Sequence, residues 1–341
     1  MITLVSGATG FVGSHVARQL VARGERVRVL VRRTSNLRAI EGLNIELAYG
    51  DLRDLASLYR AMEGVRRVYH VAADYRFGVR RAAEIYESNV IGTRHLLEAA
   101  RRAAVDRFVY TSTVATIAVP REGKLPDEET FAGLEEMIGH YKRSKLLAEL
   151  EAFRAAAEGL PVVIVNPTAP VGPGDWKPTP TGRMIVDFLN GRMPGYVDTG
   201  LNLVAVEDVA AGHLLAAGRG RVGQRYILGG RNLTLKEILE MLGAITGRRA
   251  PRLRFPHALA LAAGYADAVI SRVLRREPQI PLEGVRMARH KMFVDGSKAQ
   301  RELGFVPGPV GLGLERAVRW YSENAYVGAR RPGRPERARA A

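Results

Sequence analysis

A phenol and an ammonium stand four residues apart in Tyr141-Lys142-Arg143-Ser144-Lys145. On a helix that spacing puts both on one face, one turn apart. A phenol there can exchange a proton with a substrate hydroxyl or carbonyl. Its ordinary pKa is about 10, so a nearby cation must lower it, and Lys145 is the expected source of that charge. The third part needed is a hydroxyl that orients the substrate oxygen. Thr113 is expected to supply it, where the fifth candidate strand ends at Val109-Tyr110-Thr111-Ser112-Thr113-Val114, with Ser112 as the alternative. By themselves a Tyr and a Lys mean little, because many solvated helices carry both.

What gives them meaning is the start of the chain, where Ile2-Thr3-Leu4-Val5 runs into Ser6-Gly7-Ala8-Thr9-Gly10-Phe11-Val12-Gly13. An apolar strand followed by a glycine-rich turn that opens a helix cradles a dinucleotide. Gly7 permits the tight turn, Gly10 lets backbone amides approach a pyrophosphate, and Gly13 allows close packing of the helix. Thr9, Phe11 and Val12 complete the helix N-terminus that faces the phosphates. The second strand ends at Val31-Arg32-Arg33, and no carboxylate follows until Glu41. A ribose 2′-hydroxyl would call for an acid here, whereas Arg32 and Arg33 suit a 2′-phosphate. NADP(H) is therefore expected over NAD(H), which stays open. Asp51 is a plausible adenine partner or a turn acid, Leu52 can pack on the ring, and the small residues Val71, Ala72 and Ala73 let the backbone come close.

The first half alternates candidate strands at Ile2–Ser6, Arg26–Val31, Asn44–Tyr49, Arg67–His70, Arg107–Thr111 and Pro161–Val165 with helical patterns. The helices are expected at about Phe11–Arg23, Asp54–Met62, Arg81–Ala104 and Gly139–Glu158. This order predicts an α/β fold, a doubly wound parallel sheet with a smaller mixed α/β substrate domain. The dinucleotide-binding part is read as residues 1–166 plus about 203–228, and the substrate part as about 167–202 plus 229–326. Leu203–Val206 with Glu207–Ala217 is expected to return to the main sheet as one more strand–helix unit. Thr234 and Glu237 have capping-box spacing.

The formal net charge of the 341 residues is +16, mostly arginine, with no cysteine and seven scattered histidines. Disulfides, thiolate sites and cysteine nucleophiles are excluded, and no metal site is expected. The arginines form no aromatic-interleaved stripe, so nucleic acid is not an expected partner. The basic stretch 327–341 is read as a disordered tail. Neither a secretory signal nor a run of transmembrane length is visible, and a cytoplasmic location is the default expectation. His257–Leu274 is apolar and Ala-rich, then basic at Arg272, Arg275 and Arg276. It can be a membrane-surface helix with weak association, or a packed helix with a solvated basic end; the packed reading is favoured.

Taken as a set, Gly7-x-x-Gly10-x-x-Gly13, Gly50-Asp51-Leu52, His70-Val71-Ala72-Ala73, Asn89-Val90-Ile91-Gly92-Thr93, Thr111-Ser112-Thr113, Tyr141-x-x-x-Lys145 and Asn166-Pro167 resemble the extended short-chain dehydrogenase/reductases over about residues 1–325. Within them, His70–Arg76, Met137–Lys145, Lys177–Arg183 and Tyr196–Leu203 resemble hopanoid-associated sugar epimerases and the related dihydroflavonol 4-reductases. The resemblance implies Tyr141 as the proton-transfer residue, Lys145 as its partner on the nicotinamide ribose, and Thr113 as the orienting hydroxyl. Thr111, Ser112 and Pro167 are expected to border the cofactor, and Asn89 to play a structural part. Asp74, Tyr75, His140, Thr168, Trp176, Arg183, Tyr196 and Asn202 are the candidate substrate contacts, each equally readable as loop packing. Phe77-Gly78-Val79-Arg80-Arg81-Ala82-Ala83 departs from the family pattern at the expected pocket mouth. Two reactions fit: epimerisation of a sugar with a recycled cofactor, or net reduction of a ketone or aldehyde by NADPH. A cofactor-sensing binding protein is a third reading, but such relatives usually lose the Tyr or the Lys. The two long helices could pair across a two-fold axis in a homodimer, as in relatives.

Overall fold

The computed structural model describes residues 1–75, 82–117, 124–274 and 282–328. Residues 76–81, which include most of the stretch 77–83 expected at the pocket mouth, Arg275 and Arg276, and the tail from 329 onward lie outside the described residues. In chain order the first elements are β1 (Ile2–Ser6), α1 (Phe11–Ala22), β2 (Arg26–Val31), β3 (Glu46–Tyr49), α2 (Leu55–Ala61), β4 (Val65–His70), α3 (Ala82–Tyr86), α4 (Gly92–Arg102), β5 (Arg107–Thr111), α5 (Gly139–Ala157) and β6 (Val162–Pro167). There follow β7 (Ala169–Val171), α6 (Pro180–Leu189), β8 (Tyr196–Val197), β9 (Gly200–Ala205), α7 (Val206–Arg219), β10 (Arg225–Leu228), β11 (Arg231–Thr234), α8 (Leu235–Thr246), β12 (Arg254–Phe255), α9 (His257–Val273), α10 (Leu282–Met287), β13 (Lys291–Met292), α11 (Ser297–Leu303) and α12 (Val310–Glu323).

Seven parallel strands form the main sheet in the order β10-β6-β5-β4-β1-β2-β3. The chain runs outward from β1 in both directions, so the crevice opens at the carboxyl ends of β1 and β4, where the winding reverses. Alternation along each strand divides the core. Val5, Val29, Val109 and Val163 face α1, α7 and α11, while Leu4, Leu30, Phe108 and Ile164 face α2, α4 and α5. Both faces are covered, which is why these strands read as nearly continuous apolar runs.

The expected helix over 81–104 is interrupted. Glu87–Ile91 forms a π-helical turn between α3 and α4, and Asn89 lies in it. A second sheet of β11, β9 and β13, with β7 also on β9, carries a third core with α6, α8 and α12. Here the sequence reading needs correction. The strand before α7 begins at Gly200 and belongs to this second sheet, and it is β10, after α7, that rejoins the main sheet beside β6. A run of apolar residues fixes that a strand exists, not which neighbour it pairs with. The capping box forms at Thr234 and Glu237 as its spacing predicts.

Helix α9 also differs from the packed reading. It is buried only along a narrow stripe, and its larger apolar side chains are exposed. Among the described residues no helix is long and apolar enough to cross a membrane.

Candidate active site

The glycine turn is built by contact as much as by conformation. Gly7 sits at φ +77°, and a Cβ there would lie 2.5 Å from the Ala72 nitrogen, so the turn and the end of β4 can meet only across a glycine. A Cβ on Gly13 would fall 2.2 Å from the Gly7 carbonyl oxygen, which places the first turn of α1 directly on the glycine turn. The Gly10 N–H donates to Gly7 O at 2.9 Å. Helix α1 begins at Phe11 with Gly10 as its N-cap and no side-chain cap. Thr9, Gly10, Phe11 and Val12 therefore present an uncapped helix N-terminus, whose donors fit a pyrophosphate. Val71 and Ala72 lie alongside, held by Ser6 through its carbonyl and hydroxyl at 3.1 and 3.4 Å, and Ala73 continues that segment.

Arg32 and Arg33 are exposed at the end of β2. The Arg33 guanidinium lies 5.4 Å over the Tyr49 ring. Asp51 accepts from the Arg53 guanidinium at 2.8 and 2.9 Å, and that bond, with weaker help from Arg32, holds its carboxyl below the usual range. The helix cap is Asp54, and Asp51 lies in the turn before it with Arg53 as its partner. Leu52 packs under α4, where a Cβ on Gly92 would come within 2.8 Å of it.

Thr113 and Tyr141 come together across the crevice. Thr113 caps the short turn Val114–Thr116 and accepts from the Ala115 N–H. Its side chain is hydrogen-bonded to the Tyr141 phenol, which draws that pKa down, while burial outweighs it and pushes the phenol up to about 12. Lys145 sits one turn on but its ammonium is turned into the sheet. Nζ donates to the Tyr110 hydroxyl at 2.8 Å and the Thr111 carbonyl at 2.7 Å. Burial lowers its pKa to about 7. The expected lowering of the Tyr141 phenol by Lys145 is thus not the arrangement found, because the cation is engaged by β5. Tyr110, which sequence reasoning passed over as a strand residue, is its holder.

The hydroxyls of Thr111 and Ser112 point inward. Thr111 Oγ1 lies 2.9 Å from His213 Nε2, and Ser112 Oγ donates to Glu149. The Ser112 hydroxyl, the alternative to Thr113, is thus engaged by a buried side chain. Glu149 is a hub that sequence reasoning missed. It also accepts from Thr116 Oγ1 at 2.8 Å and Asn166 Nδ2 at 3.0 Å, and pairs with Arg225 at 2.8 Å, both partners almost fully buried. One signal was available, since Glu149 follows Lys145 by one helical turn and shares its face. Among the described residues, Asn166 Oδ1, beside this hub, is a buried acceptor without a partner.

Asn89 has the structural part expected of it. Its amide exchanges hydrogen bonds with the Asp74 backbone at 2.7 and 2.9 Å and donates to Ser144 Oγ at 2.9 Å, tying the segment after β4 to α5. Tyr75 is close enough to Tyr141 to raise its pKa, and burial near Asp175 and Asp74 brings Tyr75 itself to about 12. His140 Nδ1 lies 3.2 Å from the Tyr86 hydroxyl. The structure thus gathers Thr113, Tyr141 and Tyr75, with Asp74 and His140 on neighbouring segments.

Other candidates are engaged in packing. Trp176 stacks edge-on with Trp320 and lies under Arg38 at 3.7 Å. Thr168 donates to the Leu228 carbonyl directly after Pro167, the last residue of β6. Asn202 accepts from Gly230 N–H and donates to Asn232 within the second sheet. Tyr196 packs on the third core, and Arg183 is exposed on α6.

Two buried histidines make an acid-sensitive frame. His70 Nδ1 lies 2.7 Å from Ser6 Oγ and Nε2 2.9 Å from Thr93 Oγ1; burial, then Lys145, lowers its pKa to about 3. Burial lowers His213 to about 4. Both folded values lie below the unfolded one, so the unfolded chain binds more protons in acid. The full stability contribution is present above about pH 6.5 and drains away as the pH falls toward 4 and 3. The unfolding free energy from urea titrations is expected to drop between pH 7.5 and 5, by about 2 kcal/mol per histidine. His213→Gln should flatten that slope, and a slope unchanged in the variant would contradict the assignment.

The profile of the NAD dependent epimerase/dehydratase family matches residues 3–229, which span the main sheet and every residue of the Thr113–Tyr141–Lys145 group. The chain belongs to that family. Among its relatives, a candidate dihydroflavonol 4-reductase of Synechocystis sp. is 44% identical over 327 residues, covering 95% of each chain. Sterol demethylase protein B of Methylococcus capsulatus is 39% identical over 331 residues, 96% of this chain and all of its own length. A solved nucleoside-diphosphate-sugar epimerase from Pseudomonas aeruginosa superposes with a TM-score of 0.80 at 29% identity, covering 96% of this chain and 99% of its own. This epimerase/dehydratase chain is accordingly an enzyme of the extended short-chain dehydrogenase/reductase type with a nicotinamide dinucleotide cofactor.

Proposed function

We propose that this enzyme is an NADP(H)-dependent dehydrogenase/reductase that acts at a secondary alcohol or ketone carbon of a bulky, largely apolar substrate. The observation that carries the reading is the hydrogen-bonded Thr113–Tyr141 pair, at the end of β5 in the same sheet whose first strand runs into the glycine turn. The uncapped start of α1, from Thr9 to Gly13, would hold the pyrophosphate, and Arg32 and Arg33 a 2′-phosphate. The bound nicotinamide carries the hydride. Thr113 orients the substrate oxygen. Tyr141 gives its phenol proton to that oxygen as the carbon is reduced, or takes it back in the reverse direction. Lys145, released from Tyr110, is the cation that would reach the nicotinamide ribose.

Support for the apolar substrate is the sterol demethylase relative, alike over nearly the whole chain, and the aromatic group of Tyr75 and Tyr86 near Tyr141 and His140. Purified protein with NADPH and a panel of hydrophobic ketones should show net loss of NADPH. Tested beside it, nucleotide sugars should give no epimerised product.

Replacing Arg32 and Arg33 together by alanine is expected to raise the KM for NADPH by roughly 10–100-fold, the loss of one or two charge-assisted hydrogen bonds. The KM for NADH should hardly move. A wild-type enzyme that prefers NADH would remove the 2′-phosphate assignment.

Sugar epimerisation is the second reading, and the likeness to the Pseudomonas epimerase over 96% of the chain favours it. Cofactor that survives dialysis and turnover with no net absorbance change would select it over reduction.

A further inference from the structure

Helix α9 shows to solvent the side chains that a surface helix normally hides. Its buried stripe holds Gly264, Asp267 and Ser271. Around the rest, Leu259, Tyr265, Val269, Ile270 and Val273 are 48–75% exposed, and Leu253 and Leu274 extend the patch beyond both ends. From Ala258 to Leu274 the charged residues are Asp267, which is buried, and Arg272. A helix standing in water needs polar cover, and a contiguous apolar face of this kind marks a docking surface.

The rim of the patch says what docks. Arg252, Arg254 and Arg272 are exposed at its ends, and Arg286 of α10 donates to the Tyr265 hydroxyl at 2.9 Å. Residues 248–291 carry ten Lys and Arg against three Asp and Glu. A second copy of the chain on this face would set arginine rim against arginine rim. A surface of anionic headgroups would neutralise the rim while its acyl boundary takes the leucines and valines. Helix α9 has 17 residues and does not meet the length or apolarity of a span, so it would lie in the interface.

We propose that the exposed face of α9, with its arginine rim, is a docking surface for bilayers that contain anionic phospholipids. Helix α9 is joined to the start of the active-site helix through α10. His257 of α9 lies 2.8 Å from the Val285 carbonyl of α10. The Glu283 carboxyl of α10 lies 2.7 Å from where a Cβ of Gly139 would stand, at the start of α5 and two positions before Tyr141. The inference rests on exposure and charge and not on the reaction, so its test reads binding alone.

Full-length protein is sedimented with vesicles of phosphatidylcholine alone, or mixed with phosphatidylglycerol, at physiological salt. Wild type is expected to pellet with the mixed vesicles and to be released by high salt. Val269→Glu with Val273→Glu should pellet roughly ten-fold less, with an unchanged thermal midpoint, because both sites are exposed. Arg272→Glu, which keeps the apolar face, should weaken binding to mixed vesicles and leave the low binding to neutral ones unchanged. The proposal is overturned if wild type stays in the supernatant with mixed vesicles, or if the double variant pellets like wild type. It is also overturned if light scattering shows a wild-type dimer that the double variant dissolves, since a second copy would then cover the patch.

Discussion

Replacing Tyr141 with phenylalanine is expected to lower kcat about 1000-fold while cofactor binding is kept. The variant removes one oxygen from a position where Thr113 already supplies a hydrogen bond, and the ring can stay where it is. The loss should appear in kcat and kcat/KM alike, because a proton transferred at the reacting oxygen is a transition-state interaction. Titration of NADPH fluorescence separates the two effects. An unchanged rate would remove Tyr141 from its role, and a lost cofactor signal would mean that the hydroxyl also holds the cofactor.

The second large effect is on stability. Arg225 is buried with its guanidinium on Glu149, on the Glu128 carbonyl at 2.7 Å and on the Thr130 carbonyl at 3.1 Å. Arg225→Met would leave the Glu149 carboxylate in the core without its cation, at a cost of about 3–5 kcal/mol. Adding Glu149→Gln should recover a good part of that cost, since the stranded charge is then gone. Urea denaturation of the two single variants and the pair gives the coupling directly. Additive losses would show that Arg225 acts through the two carbonyls and not through Glu149.

Much of the fold was legible because its strands are covered on both faces. Ile2–Ser6, Arg26–Val31 and Arg107–Thr111 end where the apolar runs end. Helix starts were readable where a local signal exists, as at Gly10 and Thr234. What lay beyond reach depended on contacts distant in sequence. The strand Gly200–Ala205 has an apolar pattern that fits either sheet, and its partners, Ala169–Val171 and Arg231–Thr234, decide. The π-helical turn at Asn89 has no periodicity of its own.

In the site, residue types and spacing located Thr113 and Tyr141 together but not the direction of Lys145. Helical spacing puts a lysine on a face without saying whether its four-carbon stem reaches the phenol or the strand. The candidate substrate contacts divided for the same reason. Asn202 and Trp176 have polar or aromatic partners that only the folded chain supplies. Glu149 went unread because a glutamate on a helix is usually solvated, and nothing nearby announces that Arg225 will arrive from another strand.

Thr168 alone separates β6 from β7, so the chain passes from the main sheet to the second within one residue. Thr168 is itself buried and bonded to Leu228, and Asn166, two positions earlier, lies under the loop of Thr113. A joint this short has no slack for sliding. If one sheet moved against the other at this crossing, the motion would be a rotation about Thr168, close to the strand end where Asn166 holds the Thr113 carbonyl. The proton-transfer geometry would then sit near the axis, where displacement is smallest, and the outer wall would sweep the largest arc. Large substrates could be admitted by such a movement without the Thr113–Tyr141 pair coming apart.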